Sequence, residues 1–209
     1  MQRNCKCINV AVKQKLKNTM KHLLKLKWML ALVAVALITA CGDDDDPEPV
    51  NEEELITTLN VTFTNTGDAT DVVVASFQDL DGPGGDAPVV QNPTLTANAN
   101  YSVAVEFLNE QESPAENITE EVEEEDDEHQ VFFVPGNGLG FIYTYGDADA
   151  DGNPLGLTGT AAIGDAGTGS LNVLLIHEPN KTASGVRNGD PSNAGGETDM
   201  SVTFNVTVQ

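Results

Sequence analysis

Beyond residue 40 the sequence has almost no positive charge: Lys181 and Arg187 stand alone there against all 33 Asp and Glu of the chain. Such a body is repelled by phosphate backbones, which excludes nucleic acid as a partner, and a bare anionic membrane surface is disfavoured for the same reason. Cysteine is as scarce. Cys5, Cys7 and Cys41 are the whole supply, so the long segment after Cys41 must fold without a disulfide. Trp28 is the single Trp and three Tyr complete the large polar aromatics. A carbohydrate platform, which wants flat aromatic faces, has Tyr143 and Tyr145 as its best-placed pair. Histidine is equally thin. His129 and His177 lie far apart with no metal-ligand spacing, and His177-Glu178 lacks the second His of an H-E-x-x-H helix. Ser170 and Ser192 sit in no G-x-S-x-G elbow. Paired carboxylates could serve glycoside hydrolysis, but a chain this acidic produces pairs by chance. These absences leave no catalytic constellation, and the reading is not an enzyme.

What is present is strongly polarised along the chain. Residues 1–40 hold eight cations and no acid, and 28–39 form an apolar run that ends in Thr39. A basic n-region, a short apolar h-region and the small residues before Cys41 make a secretory signal of residues 1–40. The run is too short for a membrane span, which needs about 20 apolar residues. Met20-Lys21-His22-Leu23-Leu24-Lys25 would make a more usual beginning, so Met20 is an alternative start of translation. Cys41 follows the small residues directly, where an ordinary secretory peptide with a chance Cys or an uncleaved anchor would be the rival reading. Gly42, four successive Asp and Pro47-Glu48-Pro49 come next. Residues 41–54 therefore read as an acidic flexible tether, spanning roughly 20 Å as a coil and more when self-repulsion stretches it.

The Ile38-Thr39-Ala40-Cys41 sequence resembles the bacterial lipobox, whose Cys becomes the acylated first residue of the mature protein. A Cys followed by an acidic run is similar to the surface-export signal of Bacteroidota lipoproteins, and the Thr/Asn/Gly-rich body resembles small flavobacterial-type lipoproteins. The resemblance implies lipidation at Cys41, attachment to the outer membrane through that lipid, and exposure at the cell surface. Some such proteins carry the label of a type 1 periplasmic binding fold. That fold needs alternating βα units in two lobes, which this patterning does not supply.

From residue 55 to 209 the dominant period is two. Leu59, Val61 and Phe63, then Tyr101, Val103, Val105 and Phe107, then Met200, Val202, Phe204, Val206 and Val208 alternate with polar neighbours, each segment presenting one apolar face. Segments 72–77, 131–134, 141–145 and 171–176 are apolar on both faces and read as more central strands. Segment 157–163 is weaker and 89–90 could add a short strand. Seven or eight strands between Gly, Asn, Asp and Pro turns predict one all-β domain, an antiparallel immunoglobulin-like β-sandwich. Leu95-x5-Tyr101-x-Val103-x-Val105 resembles the tyrosine corner of fibronectin-type and immunoglobulin-like sandwiches, although Ala97 stands where Pro is usual. The resemblance implies a Tyr101 hydroxyl bonded back to the chain near Leu95. One insertion breaks the pattern. Ser113-Pro114-Ala115-Glu116 has the form of a capping box, and Ile118 and Val122 share a stripe, so a short acidic helix is expected from Pro114. It should fray near Glu124, where six successive acids meet the helix C-terminus.

The clearest chemical signal is Asp147-Ala148-Asp149-Ala150-Asp151-Gly152-Asn153. Carboxylates at alternate positions of a tight loop suit Ca²⁺, which takes six to eight oxygens. The loop resembles the first half of an EF-hand, with Thr158 where a bidentate Glu belongs and strands in place of helices. Asp147, Asp149, Asp151 and Asn153 are thus candidate Ca²⁺ ligands of weak affinity, and a hairpin turn that simply selects Asp, Gly and Asn is the competing reading. Asp79, Asp81 and Asp86 form a second, looser candidate for divalent cations. The sequence favours a non-enzymatic, acidic envelope lipoprotein in a binding or structural role. A glycan-binding accessory of a polysaccharide-uptake system is the alternative, and it rests on location and fold-level analogy.

Overall fold

The computed structural model describes residues 55–209; the signal segment, the Met20 start, Cys41 and the tether lie outside the described residues. The period-two segments become strands. They are β1 Thr58–Asn65, β2 Val72–Gln78, β3 Val89–Gln91, β4 Thr94–Leu95, β5 Asn100–Leu108, β6 His129–Gly136, β7 Phe141–Tyr145, β8 Thr158–Ile163, β9 Gly167–His177 and β10 Glu197–Val208. One sheet runs β3-β2-β1-β5-β8-β7 and the other β4-β10-β9-β6. Every pairing is antiparallel except the short parallel contact of β4 with β10. The fold is the expected all-β sandwich, with two short strands, β3 and β4, beyond the eight longer ones.

The alternation decides which faces meet. Leu59, Val61 and Phe63 of β1, Tyr101 to Phe107 of β5, and Met200 to Val208 of β10 send their apolar members into one core, while Ser201, Thr203 and Asn205 stay exposed. Rings bridge the sheets. Phe141 stands 6.4 Å from Phe63 and 6.3 Å from Phe133. Edge-on and offset ring contacts at such spacings add to area burial.

Two segments that read as central are edge strands. β6 and β7 each end a sheet, yet β6 is buried on both faces over His129–Phe133. A second cluster of Phe132, Ile176, Val186 and Ala194 covers its outer side, carried by the loop that holds the 3-10 turns Val186–Asn188 and Pro191–Asn193. A loop, not a neighbouring strand, accounts for the apolar outer residues. On β7 nothing covers the outer face, and Ile142 is 69% exposed.

The helix α1, Ile118–Glu124, buries Ile118 and Val122 and stops at Glu124 as expected, but it starts four residues late. The reason lies in the chain before it. Asn109 and Glu116 exchange backbone hydrogen bonds in both directions, so 110–115 is a closed loop and Ser113 caps nothing. Asn117 becomes the flanking residue, its amide turned to Glu120.

The tyrosine corner is formed. Tyr101 is fully buried; its hydroxyl accepts from the Thr96 backbone N–H at 2.9 Å and donates to Asp71 Oδ2 at 2.9 Å. The Asn65 amide and this hydroxyl hold the Asp71 carboxyl below its ordinary value.

Candidate functional site

The 147–158 connection between β7 and β8 is built on its own aspartates. Asp147 accepts from the N–H of Gly156 at 2.7 Å and of Thr158 at 2.6 Å. Asp149 Oδ1 accepts from the N–H groups of Asp151 and Asn153, the local side-chain turn that Asp favours. Gly152 completes it at φ +77°, a conformation that glycine alone adopts freely. Asn153 turns its amide nitrogen, not its oxygen, toward Asp149, and Asp151 is exposed.

The loop is then clamped by both cations that follow Cys41. Lys181 Nζ lies 3.3 Å from Asp149 Oδ2, with the two side chains only 4% and 2% exposed. The same ammonium donates to the Asp126 carbonyl. Arg187 donates to the Gly152 carbonyl at 2.7 Å. Burial pushes the Asp149 carboxyl upward, but the Asn153 N–H groups and Lys181 outweigh it and hold the carboxyl below its ordinary value. The oxygens of Asp147 and Asp149 are thus answered by N–H donors, and the positive charge that faces Asp149 is the Lys181 ammonium. The 79–86 loop follows the same logic: Asp79 accepts from Gly82 N–H and Asp81 from Asp86 N–H.

Chemistry gathers elsewhere. His129 opens β6, His177 closes β9, and the two residues are directly paired across the strands. Their rings stack with centroids 4.7 Å apart and planes 11° from parallel. On the next strand the β9–β10 register shifts between Thr198 and Met200. Asp199 is the extra residue of that bulge, a device that re-aims a side chain. Its carboxylate oxygen Oδ2 comes within 3.8 Å of His129 Nε2, with side chains 2% and 1% exposed. His129, His177 and Asp199 each offer one ligand atom, and these lie within 4.8 Å of one another. Glu128 Oε2 stands 3.4 Å from His177 Nε2 at the solvent side. Burial lowers the His129 pKa, partly opposed by its contact with the Glu125 carbonyl.

Sequence spacing could not show this triad. Its 48-residue and 22-residue separations acquire meaning only through the β6–β9 register and one bulge. The available signal was weaker: the two histidines after Cys41 both fall at strand termini.

One hollow of about 260 Å³ lies beside Phe133, Tyr143, Tyr145 and Asn188, below the roughly 300–1,000 Å³ of small-molecule sites. Tyr143 and Tyr145 spend their hydroxyls on the Gly156 and Val131 carbonyls, and Tyr143 stacks on Phe133 at 4.0 Å. Burial raises both phenol pKa values, that of Tyr145 to about 12. The pair thus works as packing rather than as an exposed sugar platform. A second trough of about 340 Å³ is lined by Thr62, Thr64, Thr158 and Thr160 among others and has no aromatic ring.

No protein-family model, no curated protein and no solved structure matches this chain.

Proposed function

We propose that this protein is a non-enzymatic lipoprotein of the cell envelope, anchored in the outer membrane through Cys41 and displaying an acidic β-sandwich at the cell surface in a binding or structural role. The observation that carries the proposal is the order of segments: basic, apolar, Cys41, acidic tether, then a strand-rich domain. The sandwich supports it by closing its core without a cysteine. The 33 acids of tether and sandwich, against two cations, keep the displayed body soluble and away from anionic surfaces.

The test is Cys41→Ala in the expressing bacterium, with incorporation of radiolabelled palmitate and membrane fractionation read together. The wild type incorporates label and sediments with the outer membrane; Cys41→Ala takes up none and leaves that fraction. Equal sedimentation and no label in either protein would overturn the proposal.

A further inference from the structure

We propose that His129, His177 and Asp199 form a structural site for one Zn²⁺-class divalent ion, tying the ends of β6, β9 and β10 together once the His177 ring turns out of its stack on His129 so that both in-plane lone pairs reach the ion. The inference is independent of the lipoprotein reading and rests on the atoms that face one another.

His129 Nδ1 lies 3.2 Å from the Glu125 carbonyl. A carbonyl can only accept, so Nδ1 carries a proton, and in the neutral ring the lone pair is on Nε2. Ligating histidines have this pattern, the other ring nitrogen being tied to a carbonyl or carboxylate that fixes the tautomer. His129 is 1% exposed and its Nε2 has no hydrogen-bond partner. Leaving a buried polar atom unmet costs about 1–3 kcal/mol. Asp199 Oδ2 faces it at 3.8 Å, too far for a hydrogen bond between the two. That separation is close to the spacing an ion imposes. With bonds of about 2.0–2.2 Å, two ligands of a tetrahedral zinc stand roughly 3.3–3.6 Å apart.

The donor set selects the metal. Two imidazoles with one carboxylate suit zinc and its first-row neighbours, whereas Ca²⁺ and Mg²⁺ want oxygen alone. Burial of all three side chains leaves no room for a substrate, so the role is structural. Glu128, beside His177 and half exposed, stands where a fourth ligand or the entry gate would be.

The acidic surface would adsorb any divalent ion, so the test must separate adsorption from ligation. Full-length protein is stripped with EDTA and titrated with Zn²⁺ alone, in salt and excess Mg²⁺ to occupy exposed carboxylates. The expected result is one tight Zn²⁺ per chain, a higher Tm, and binding in His177→Gln and Asp199→Asn weakened by more than the roughly tenfold to hundredfold that loss of an outer-shell partner costs. The chain has three histidines, which keeps ring ¹⁵N NMR of the wild type simple and independent of whether variants fold. Zn²⁺ should shift the ring nitrogens of both His129 and His177, the two histidines that follow Cys41. Absence of Mg²⁺-resistant binding, or binding that leaves both buried rings unshifted, would overturn the proposal.

Discussion

Asp149→Ala tests the clamp on the 147–158 loop most sharply. The variant leaves Lys181, 5% exposed, with its ammonium facing only the Asp126 carbonyl. Removing one partner of a buried ion pair costs about 3–5 kcal/mol, because the other charge stays desolvated and unanswered. For a domain of this size about 1 kcal/mol moves Tm by roughly 2–4 °C, so a fall of about 6–20 °C is expected in calorimetry. Lys181→Met is milder, at about 1–3 kcal/mol, since Asp149 keeps its N–H donors from Asp151 and Asn153. Asp149→Ala with Lys181→Met should lose less than the sum of the two, because the second change removes the stranded charge. The pH dependence has a definite sign. Asp149 is depressed in the fold, so its contribution is complete above the unfolded carboxyl pKa of about 3.9 and fades as pH falls through the folded value. The Tm gap between wild type and Asp149→Asn should hold steady from about pH 5 to pH 7 and close below about pH 4. Additive losses, or a loss under about 1 kcal/mol for Asp149→Ala, would refute the reasoning. So would an EDTA-induced fall in the Ca²⁺-loaded wild type that Asp149→Ala abolishes, since that is the behaviour of a Ca²⁺ loop.

Two further outcomes follow from the same structure. Tyr101→Phe removes the hydrogen bonds of the corner to Thr96 and Asp71 and should cost about 0.5–1.5 kcal/mol per bond, read as a lower urea midpoint with an unchanged m-value; a loss below about 0.5 kcal/mol would show that the corner does no work. Raising NaCl from low to moderate concentration should raise Tm, because screening weakens repulsion within a domain that carries a large excess of acids; a fall in Tm would contradict this.

The sandwich was legible in the sequence because a period of two commits each residue to a face. Tyr101 to Phe107 and Met200 to Val208 bury the members that the alternation picks out. The corner was legible because its spacing is local. Errors arose where long-range covering overrides the local pattern. Phe132 and Ile176 are apolar outside the main core because a loop 50 and more residues away from Phe132 lies over them, which sequence alone cannot distinguish from a central strand. The capping box failed for a related reason: the Asn109–Glu116 pairing claims Ser113 for a closed loop. At the acidic loop the residue types suit both a hairpin turn and an ion, and the contact of Asp149 with Lys181, 32 residues away, is one that local spacing could not show. The His129–His177–Asp199 group stayed hidden because register and a bulge, neither of them a compositional property, bring it together.

The proposed placement of this domain depends on an anchor at Cys41, and intact-mass and peptide mass spectrometry of the outer-membrane fraction tests that directly. The account predicts a chain that begins at Cys41 and carries a diacylglyceryl group on its sulfur. A chain that retains residues 21–40, or a Cys41 with an unmodified thiol, would contradict it.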